Sequence, residues 1–371
     1  MNIVIVTPSY FPSRGGTEQA IFEWAKRFTI EHGVRIVALN HTNAPGREVS
    51  PEGIEIHRLP KASIRIIGHA VRAILIFARL SRLDKESRID LIHLGHVFQM
   101  GLGVMLFAKL RKRPVVTTLL GWDTYDPIKP VPAMYAPYLR FVMNASDRIV
   151  AMSSHIAESA GAQGCRRHIE LIPHGSTMRG RRATIDVRRA HGIPGPARIC
   201  FSLQRLHPRK GLQYLLEAVP RVAREMGNVA FIIGGTGAEE RSLKEVCETL
   251  GIRERVLFAG FIPDTDLVSY YDQADLFVLP TLYEAFGLVY ADAVVRGLPI
   301  VTTRTGGALD IVGSDVGILV PPRNAAALAD AIVAALNRSW DRRAIAARGS
   351  RYDWDRIAAD YLAIYKALVN G

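Results

Sequence analysis

The feature that most constrains this chain is an alternation of short apolar runs with amphipathic helical segments, and the pattern occurs twice. The first series begins with Asn2–Thr7 and the second with Ala197–Leu203. A stretch rich in Arg, Gly and Pro, residues 175–197, lies between them. Strands that alternate with helices predict parallel sheets covered by helices. The 371 residues are therefore expected to form two α/β domains of similar size.

The predicted strands are short runs of apolar and β-branched residues. They are Asn2–Thr7, Val34–Leu39, Ile54–His57, Asp90–Leu94, Pro114–Leu119, Arg148–Ala151, Ala197–Leu203, Val229–Gly234, Val256–Ala259, Leu276–Leu279 and Pro299–Thr302. The predicted helices carry apolar residues at helical spacing. They are Thr17–Ile30, Gly68–Leu83, Met100–Leu110, Gly211–Arg224, Arg241–Leu250, Leu288–Arg296, Ala325–Leu336 and Trp354–Leu368. Thr17 is the predicted N-cap of the first helix.

Composition narrows the class of partner without choosing one. The chain has 47 Lys and Arg against 35 Asp and Glu, a net charge of +12. Such a balance favours nucleotides, nucleic acid or anionic lipid. The three cysteines, Cys165, Cys200 and Cys247, are far apart and form no C-x-x-C pair. A disulfide framework or structural zinc site is therefore not expected.

The start of the chain and the length of its apolar runs indicate in which cellular compartment the protein is expected. Residues 1–8 lack the basic region of a signal peptide. No uninterrupted apolar stretch reaches the roughly 18 residues that a spanning helix needs. A cytoplasmic protein is the resulting expectation.

A basic loop follows the first strand of the second half. Arg205 and Lys210 lie in the segment QRLHPRKG, directly after Ala197–Leu203. Ligands of open α/β sheets bind at the carboxyl ends of the strands. The forked guanidinium of Arg can donate two hydrogen bonds to a diphosphate, and the ammonium of Lys can bind it as a point charge. The alternative is a solvated basic loop.

The most informative segment runs from Leu279 to Asp292. A strand ends, a loop carries Glu284, and a helix begins near Gly287 and Leu288. The amides of a helix N-terminus are a site for anions. Asp292 lies one turn further along the helix on the face of Leu288, where a carboxylate suits ribose hydroxyls. Glu284 lies on the side where a sugar would project.

Glycine pairs after two predicted strands allow a ligand to approach the backbone closely. Gly15 and Gly16 precede the first helix, and Gly235 follows the strand Val229–Gly234. The second turn does not satisfy the G-x-G-x-x-G pattern of dinucleotide-binding folds. Both turns are compatible with a nucleotide contact or with a plain tight turn.

Taken together and in this order, these motifs resemble the retaining glycosyltransferases of the large group 1 family. The matching elements are G-G-x-E at residues 15–18, R-x4-K-G at 205–211, and E-x7-[E/D] at 284–292 followed by G-x-P-I-V at 297–301. The resemblance covers essentially the whole chain. It implies the GT-B fold, in which two Rossmann-like domains face each other across a cleft. Residues 1–175 with 353–371 would form the acceptor-side domain, and 176–352 the nucleotide-sugar domain.

The resemblance also implies a role for each motif. Arg205 and Lys210 would hold the diphosphate and Glu284 the donor sugar, as the catalytic residues. Further donor-binding residues would be Gly15, Gly16, Gly235, Phe261, Ile262, Phe286, Gly287, Leu288 and Asp292. The acceptor-side residues would be Glu18, Asp123 and His174. Neither metal nor cofactor is implied beyond the nucleotide-diphosphate sugar itself, with UDP and GDP both open.

Three positions depart from the family pattern. Asp292 stands where Glu is more usual, so the side chain is shorter by one methylene. Leu120 replaces a frequent His in the segment TTLLGWD, which leaves that sugar contact unassigned. His174 stands where Asn is common, and we expect it to hydrogen-bond between the domains rather than to act as a base.

The first half carries a basic helical segment. Arg65, Arg72 and Arg79 are seven residues apart and form one stripe, with Ile67, Ala70, Ile74 and Phe77 on the opposite side. Residues 1–175 hold 22 Lys and Arg against 14 Asp and Glu, a balance of +8. The stripe is compatible with a helix flanking the sheet or with peripheral binding to an anionic membrane.

Retaining sugar transfer to a carbohydrate, lipid-linked or small-molecule acceptor is the predicted function. Two alternatives stay open: a sugar-nucleotide epimerase of the same architecture, and a basic nucleic-acid-binding protein without enzymatic activity. The latter predicts aromatic residues interleaved with Lys and Arg, a pattern that the sequence lacks. No nucleic-acid partner is therefore expected.

Overall fold

The computed structural model describes residues 1–13, 15–41, 44–60, 68–121 and 132–371, and the chain divides into two compact units. Unit 1 comprises Met1–His174 and Trp354–Gly371, and unit 2 comprises Gly175–Asp353. These limits differ by one residue at each junction from those drawn on the sequence.

Unit 1 is a mainly parallel sheet with helices on it. Its described strands are β1 (Asn2–Thr7), β2 (Gly33–Leu39), β3 (Arg47–Val49), β4 (Glu55–Leu59), β5 (Leu91–Leu94), β6 (Val115–Leu119), β7 (Arg148–Ala151) and β8 (Ile169–Leu171). Its described helices are α1 (Gly16–Phe28), α2 (Gly68–Glu86), α3 (Val97–Arg111), α4 (Ala136–Ala145), α5 (Ser154–Ala162) and, at the chain end, α14 (Trp354–Asn370). The strand order is β3-β4-β2-β1-β5-β6-β7-β8, and β3 is antiparallel to β4.

Unit 2 is a second parallel sheet of the same kind. Its strands are β9 (Arg198–Leu203), β10 (Val229–Gly234), β11 (Val256–Gly260), β12 (Leu276–Leu279), β13 (Ile300–Thr303) and β14 (Gly317–Val320). Its helices are α6 (Val187–His191), α7 (Leu212–Met226), α8 (Glu240–Thr249), α9 (Asp264–Gln273), α10 (Leu288–Val295), α11 (Ala308–Ile311), α12 (Ala325–Asn337) and α13 (Arg342–Arg348). The order is β11-β10-β9-β12-β13-β14.

The predicted α/β architecture with two parallel-sheet domains is confirmed, with corrections in detail. Helix α1 begins at Gly16 with Gly15 at its N-cap, so Thr17 as the N-cap was wrong. The sequence pattern missed the edge strands β3 and β8, because three-residue runs carry too little periodicity to detect. It also missed α9, whose polar first turn interrupts the apolar spacing.

The closing helix α14 belongs to unit 1 through a buried polar and aromatic cluster. His93 on β5 shares hydrogen bonds with Thr118 Oγ1 (2.8 Å) and with Tyr365 Oη of α14 (2.5 Å). Its ring stacks on Trp24 of α1, with centroids 5.2 Å apart. Burial lowers the pKa of His93 to about 3, so the imidazole is neutral and has both nitrogens engaged.

Candidate functional site

The strand order of unit 2 selects one edge of the sheet as its ligand site. The chain moves one way from β9 to β10 and β11, and the other way through β12, β13 and β14. The order therefore reverses between β9 and β12, which are neighbours in the sheet. Parallel sheets bind ligands at the carboxyl ends of their strands beside such a reversal. The loops that follow these two strands carry Arg205, Lys210 and Glu284.

Backbone contacts hold these two loops against each other. The amide of Leu282 donates to the carbonyl of Arg209 over 2.8 Å. Thr281 Oγ1 donates to the same carbonyl over 3.2 Å. Gly211 has a φ of 66°, and a Cβ there would overlap the carbonyl oxygen of Pro280. The glycine of R-x4-K-G is thus required by both its conformation and its packing.

Lys210 and Glu284 form an ion pair between the two loops. Lys210 Nζ donates to Glu284 Oε2 over 2.6 Å, and both side chains are partly buried. The carbonyl of Glu284 accepts a hydrogen bond from the amide of Gly307 over 3.0 Å. A Cβ at Gly306 would overlap that carbonyl oxygen. The glycine turn after β13 therefore fixes the backbone that presents Glu284.

Arg205 lies on the same loop as Lys210, with an exposed side chain. Arg209, which the family pattern does not assign, lies over the ring of Tyr283, with 5.5 Å from its guanidinium carbon to the ring centroid. The loop after β9 thus presents three cations at the carboxyl edge of the sheet.

The predicted helix N-terminus is present beside this ion pair. Gly287 is the N-cap of α10, with a φ of 89°, and Leu288 is the first helical residue. The first amides of a helix have no partner within it and point outward. Phe286, predicted as a donor-binding residue, has a buried ring that packs against Tyr352, with 6.1 Å between centroids.

Asp292 lies on α10, but its side chain is buried rather than displayed on the surface. Asp292 Oδ1 accepts a hydrogen bond from Ser176 Oγ over 2.6 Å. Burial raises the pKa of Asp292 to about 7, against the opposing effect of that hydrogen bond. Sequence reasoning missed Ser176, because only the fold brings residues 176 and 292 together.

The residues that follow β10 and β11 separate into exposed and buried ones. Phe261 is 66% exposed, which leaves an aromatic face open at the sheet edge. Ile262, also predicted as a donor-binding residue, is buried, and its side chain fills the space beside Gly234. Gly235 has a φ of 110°, and a Cβ there would overlap the carbonyl oxygen of Gln204. Close packing of the chain thus suffices to explain this glycine.

The predicted residues of unit 1 lie around the end of β1 and in the core. Glu18 accepts a hydrogen bond from Ser9 Oγ, and a Cβ at Gly15 would meet the Glu18 carboxylate. Gly16 is the first residue of α1. His174 is buried between Trp24 and Trp354, and burial lowers its pKa to about 3. A neutral buried imidazole is a poor general base. Asp123 lies outside the described residues.

Among the described residues, no group of three His, Cys, Asp or Glu side chains could hold a metal ion. No helix in the same part of the chain is long and apolar enough to cross a membrane.

Two doubly wound, mainly parallel sheets, with cations and a helix N-terminus at the strand-order reversal of the second, are the arrangement in which α/β proteins hold nucleotides. Sequence comparison narrows the class. Residues 14–176 match the family described as glycosyltransferase family 4, and residues 184–351 match glycosyl transferases group 1. Unit 1 therefore carries a domain of glycosyltransferase family 4 and unit 2 a domain of glycosyl transferases group 1, so both units of the chain are glycosyltransferase domains.

Individual relatives are similar over different lengths. An uncharacterized glycosyltransferase of Methanocaldococcus jannaschii is 32% identical over 49% of this chain and 48% of its own. The chain thus spans about half the length of that relative. A GDP-mannose-dependent α-(1-6)-phosphatidylinositol monomannoside mannosyltransferase of Mycolicibacterium smegmatis is 26% identical over 88% of this chain and 91% of its own. HepE from Anabaena, solved in complex with UDP, shares the fold with a TM-score of 0.81, 21% identity and coverage of 99% and 100%.

Proposed function

We propose that the chain transfers a sugar from a nucleotide-diphosphate donor with retention at the anomeric carbon and without a metal ion. The observation that carries this proposal is the Lys210–Glu284 pair beside the N-terminus of α10. Departure of a nucleoside diphosphate develops negative charge on its phosphates. Lys210, Arg205 and the amides of Gly287 and Leu288 would stabilise that charge, which a metal ion does in other enzymes.

The remaining donor contacts follow from the same edge of the sheet. Glu284 would contact the sugar, Asp292 the ribose hydroxyls, and the exposed ring of Phe261 the base. Retention without a carboxylate nucleophile implies attack on the same face from which the diphosphate leaves. The departing phosphate then takes the proton of the acceptor hydroxyl. Retention is supported by the family resemblance, and Glu284 is already paired with Lys210 rather than placed as a nucleophile.

Unit 1 would supply the acceptor-side residues Glu18, Asp123 and His174, and the donor-binding residues Gly15 and Gly16. His174 would act there as a structural residue, since it is buried and neutral. The acceptor is a carbohydrate, a lipid-linked glycan or a small molecule. One relative is described as using GDP-mannose and a structural neighbour was solved with UDP, so both bases are candidates.

Thermal-shift measurements with UDP, GDP and ADP and with their sugars test the proposal. A ligand at 100 times its dissociation constant is expected to stabilise the protein by about 2.7 kcal/mol. The stabilising sugar nucleotide is then incubated with acceptor hydroxyls, and the anomeric configuration of the product is read by NMR, with and without EDTA. Conversion of the sugar nucleotide without any acceptor would instead establish an epimerase. No stabilisation by any nucleotide would contradict the proposal.

A second part of the proposal is peripheral binding of unit 1 to an anionic membrane. Helix α2 buries Ala73, Ile76, Leu80 and Leu83, while Ile74 is 67% exposed. Arg72 and Arg79 are partly buried. Arg65 lies outside the described residues.

Exposed apolar side chains occur on both α2 and the helix beside it, α3. The rings of Phe77 and Phe107 lie 6.1 Å apart, which fixes α2 against α3. Leu106 is 51% exposed and Leu110 is 68% exposed on α3. We call Ile74, Leu106 and Leu110 the apolar outer face. The cations at the ends of these helices include Arg82, Lys109, Arg111 and Lys112. An apolar face beside cations matches an anionic bilayer surface.

Replacing Leu106 and Leu110 with Ser is expected to weaken binding to vesicles of phosphatidylcholine and phosphatidylglycerol by about tenfold per leucine, because each loses apolar burial in the bilayer. Co-sedimentation measures the effect, and raising the salt concentration should weaken wild-type binding as well. Ile30→Ser is the matched control, since Ile30 is exposed but follows α1. Equal sedimentation of the double variant and the wild type would contradict the proposal.

A further inference from the structure

Ser176 lies beside Asp292 and has no assigned role in the family pattern, yet three hydrogen bonds hold it in place. The amide of Ser176 donates to the carbonyl of Tyr352 over 2.8 Å. Its Oγ accepts from the amide of Met178 over 3.1 Å and donates to Asp292 Oδ1 over 2.6 Å. Both side chains of the Ser176–Asp292 pair are buried. The serine is therefore fixed in position before any ligand arrives.

These contacts also fix the direction of the serine hydroxyl. The amide of Met178 can only donate, so it occupies a lone pair of Ser176 Oγ. The hydroxyl proton is thus left for the carboxylate of Asp292. A hydroxyl that already accepts one hydrogen bond donates a stronger one. One oxygen of Asp292 is held by the serine, which leaves the other for a ligand hydroxyl.

We propose that Ser176 is a positioning residue for the donor, which orients the carboxylate of Asp292 toward the ribose hydroxyls and favours its ionised form. This inference rests on the proposed function, because it needs a nucleotide at this site. Ser176 acts through Asp292 and is not itself required to touch the donor.

The electrostatics around Asp292 make the role of the serine measurable. Burial raises the pKa of Asp292 to about 7; the Ser176 hydrogen bond and then Arg181 lower it, and Asp264 raises it. Tyr271 also faces the carboxylate, whose charge adds to burial in raising the tyrosine pKa. Asp292 therefore ionises close to neutral pH. Since an ionised carboxylate accepts hydroxyl hydrogen bonds more strongly, donor affinity should increase as pH rises through this range.

The test is calorimetric binding of UDP and GDP between about pH 6 and pH 9, together with donor KM over the same range. Ser176→Ala removes a hydrogen bond to the charged form, so the pKa of Asp292 should rise further. At pH 7 the affinity is expected to fall by about tenfold, with near-recovery at the alkaline end. The midpoint of the pH profile should move upward while kcat at saturating donor changes less than about threefold.

Three further variants separate positioning from loss of folding. Ser176→Thr keeps the hydroxyl and should restore the wild-type midpoint. Asp292→Asn cannot ionise and should remove the pH dependence of affinity. Ser269→Ala is the matched control, because Ser269 is a buried serine that instead accepts from the amides of Thr184 and Ile185.

The outcomes separate the inference from the proposed function. Wild-type protein that binds neither nucleotide overturns both. Wild-type binding whose pH midpoint is unchanged in Ser176→Ala overturns the inference alone. The inference alone is also overturned if Ser176→Ala lowers nucleotide affinity by an equal factor at every pH, since that is the effect of a merely structural residue.

Discussion

Lys210→Ala is expected to lower turnover by about a hundredfold or more, the effect of losing one charge partner of a transition state, about 3 kcal/mol. The lysine ammonium lies at the edge of the sheet where the strand order reverses, within 2.6 Å of Glu284 Oε2 and beside the N-terminus of α10. Charge that grows on the leaving diphosphate would face this ammonium. Arg205→Ala should act in the same direction through the same loop.

The measurement is single-turnover kinetics with the sugar nucleotide that stabilises the protein, together with affinity for the free nucleoside diphosphate. Lys244→Ala is the matched control, because Lys244 also pairs with a glutamate, Glu240, over 2.7 Å on α8. We expect that variant to keep wild-type rates. Unchanged kinetics in both Lys210→Ala and Arg205→Ala would refute the diphosphate assignment.

Glu284→Gln is expected to change catalysis and binding in opposite directions. The carboxylate should matter most as the sugar gains positive charge, so kcat should fall by about a hundredfold. The same substitution removes the charge partner of Lys210, whose ammonium then interacts with the diphosphate alone. Binding of the free nucleoside diphosphate should therefore tighten, by up to about fivefold for a partly exposed pair.

Calorimetry measures the affinity for the nucleoside diphosphate, and steady-state kinetics with the corresponding nucleotide sugar measures kcat. Glu240→Gln removes the charge partner of Lys244 in the matched pair, and it should alter neither kcat nor the affinity for the nucleoside diphosphate. If Glu284→Gln weakened both turnover and nucleotide affinity, the ion pair would be a support for the site rather than a competitor of the ligand.

Much of the site could be predicted from order along the chain. Arg205 and Lys210 follow β9, and Glu284 follows β12. Loops that follow parallel strands lie at one edge of a sheet, so the spacing of the motifs along the chain predicts that these residues lie close together. The glycines after predicted strands were predicted as places of close approach, and Gly235 is such a place, although the group that approaches is the carbonyl of Gln204.

The exposure of a side chain could not be predicted in this way, because it depends on how the side chain packs. Ile262 follows β11 and Phe286 follows β12, and both side chains are buried. The period of a helix predicts which residues share a face, but it does not say which face meets the sheet. Ile74 shows this, since the helical period places it opposite the arginines, yet it is 67% exposed while Ala73 and Ile76 are buried.

The sequence by itself determined the two α/β series, the cation-bearing loop and the start of α10, because these are local patterns with strong propensities. The tertiary structure alone decided the neighbours of Asp292 and His93. Ser176 lies 116 residues from Asp292, and Tyr365 lies 272 residues from His93. Contacts across such separations have no trace in local periodicity. They decide whether a carboxyl or an imidazole is charged, because desolvation and hydrogen bonding depend on the groups that the fold packs around it.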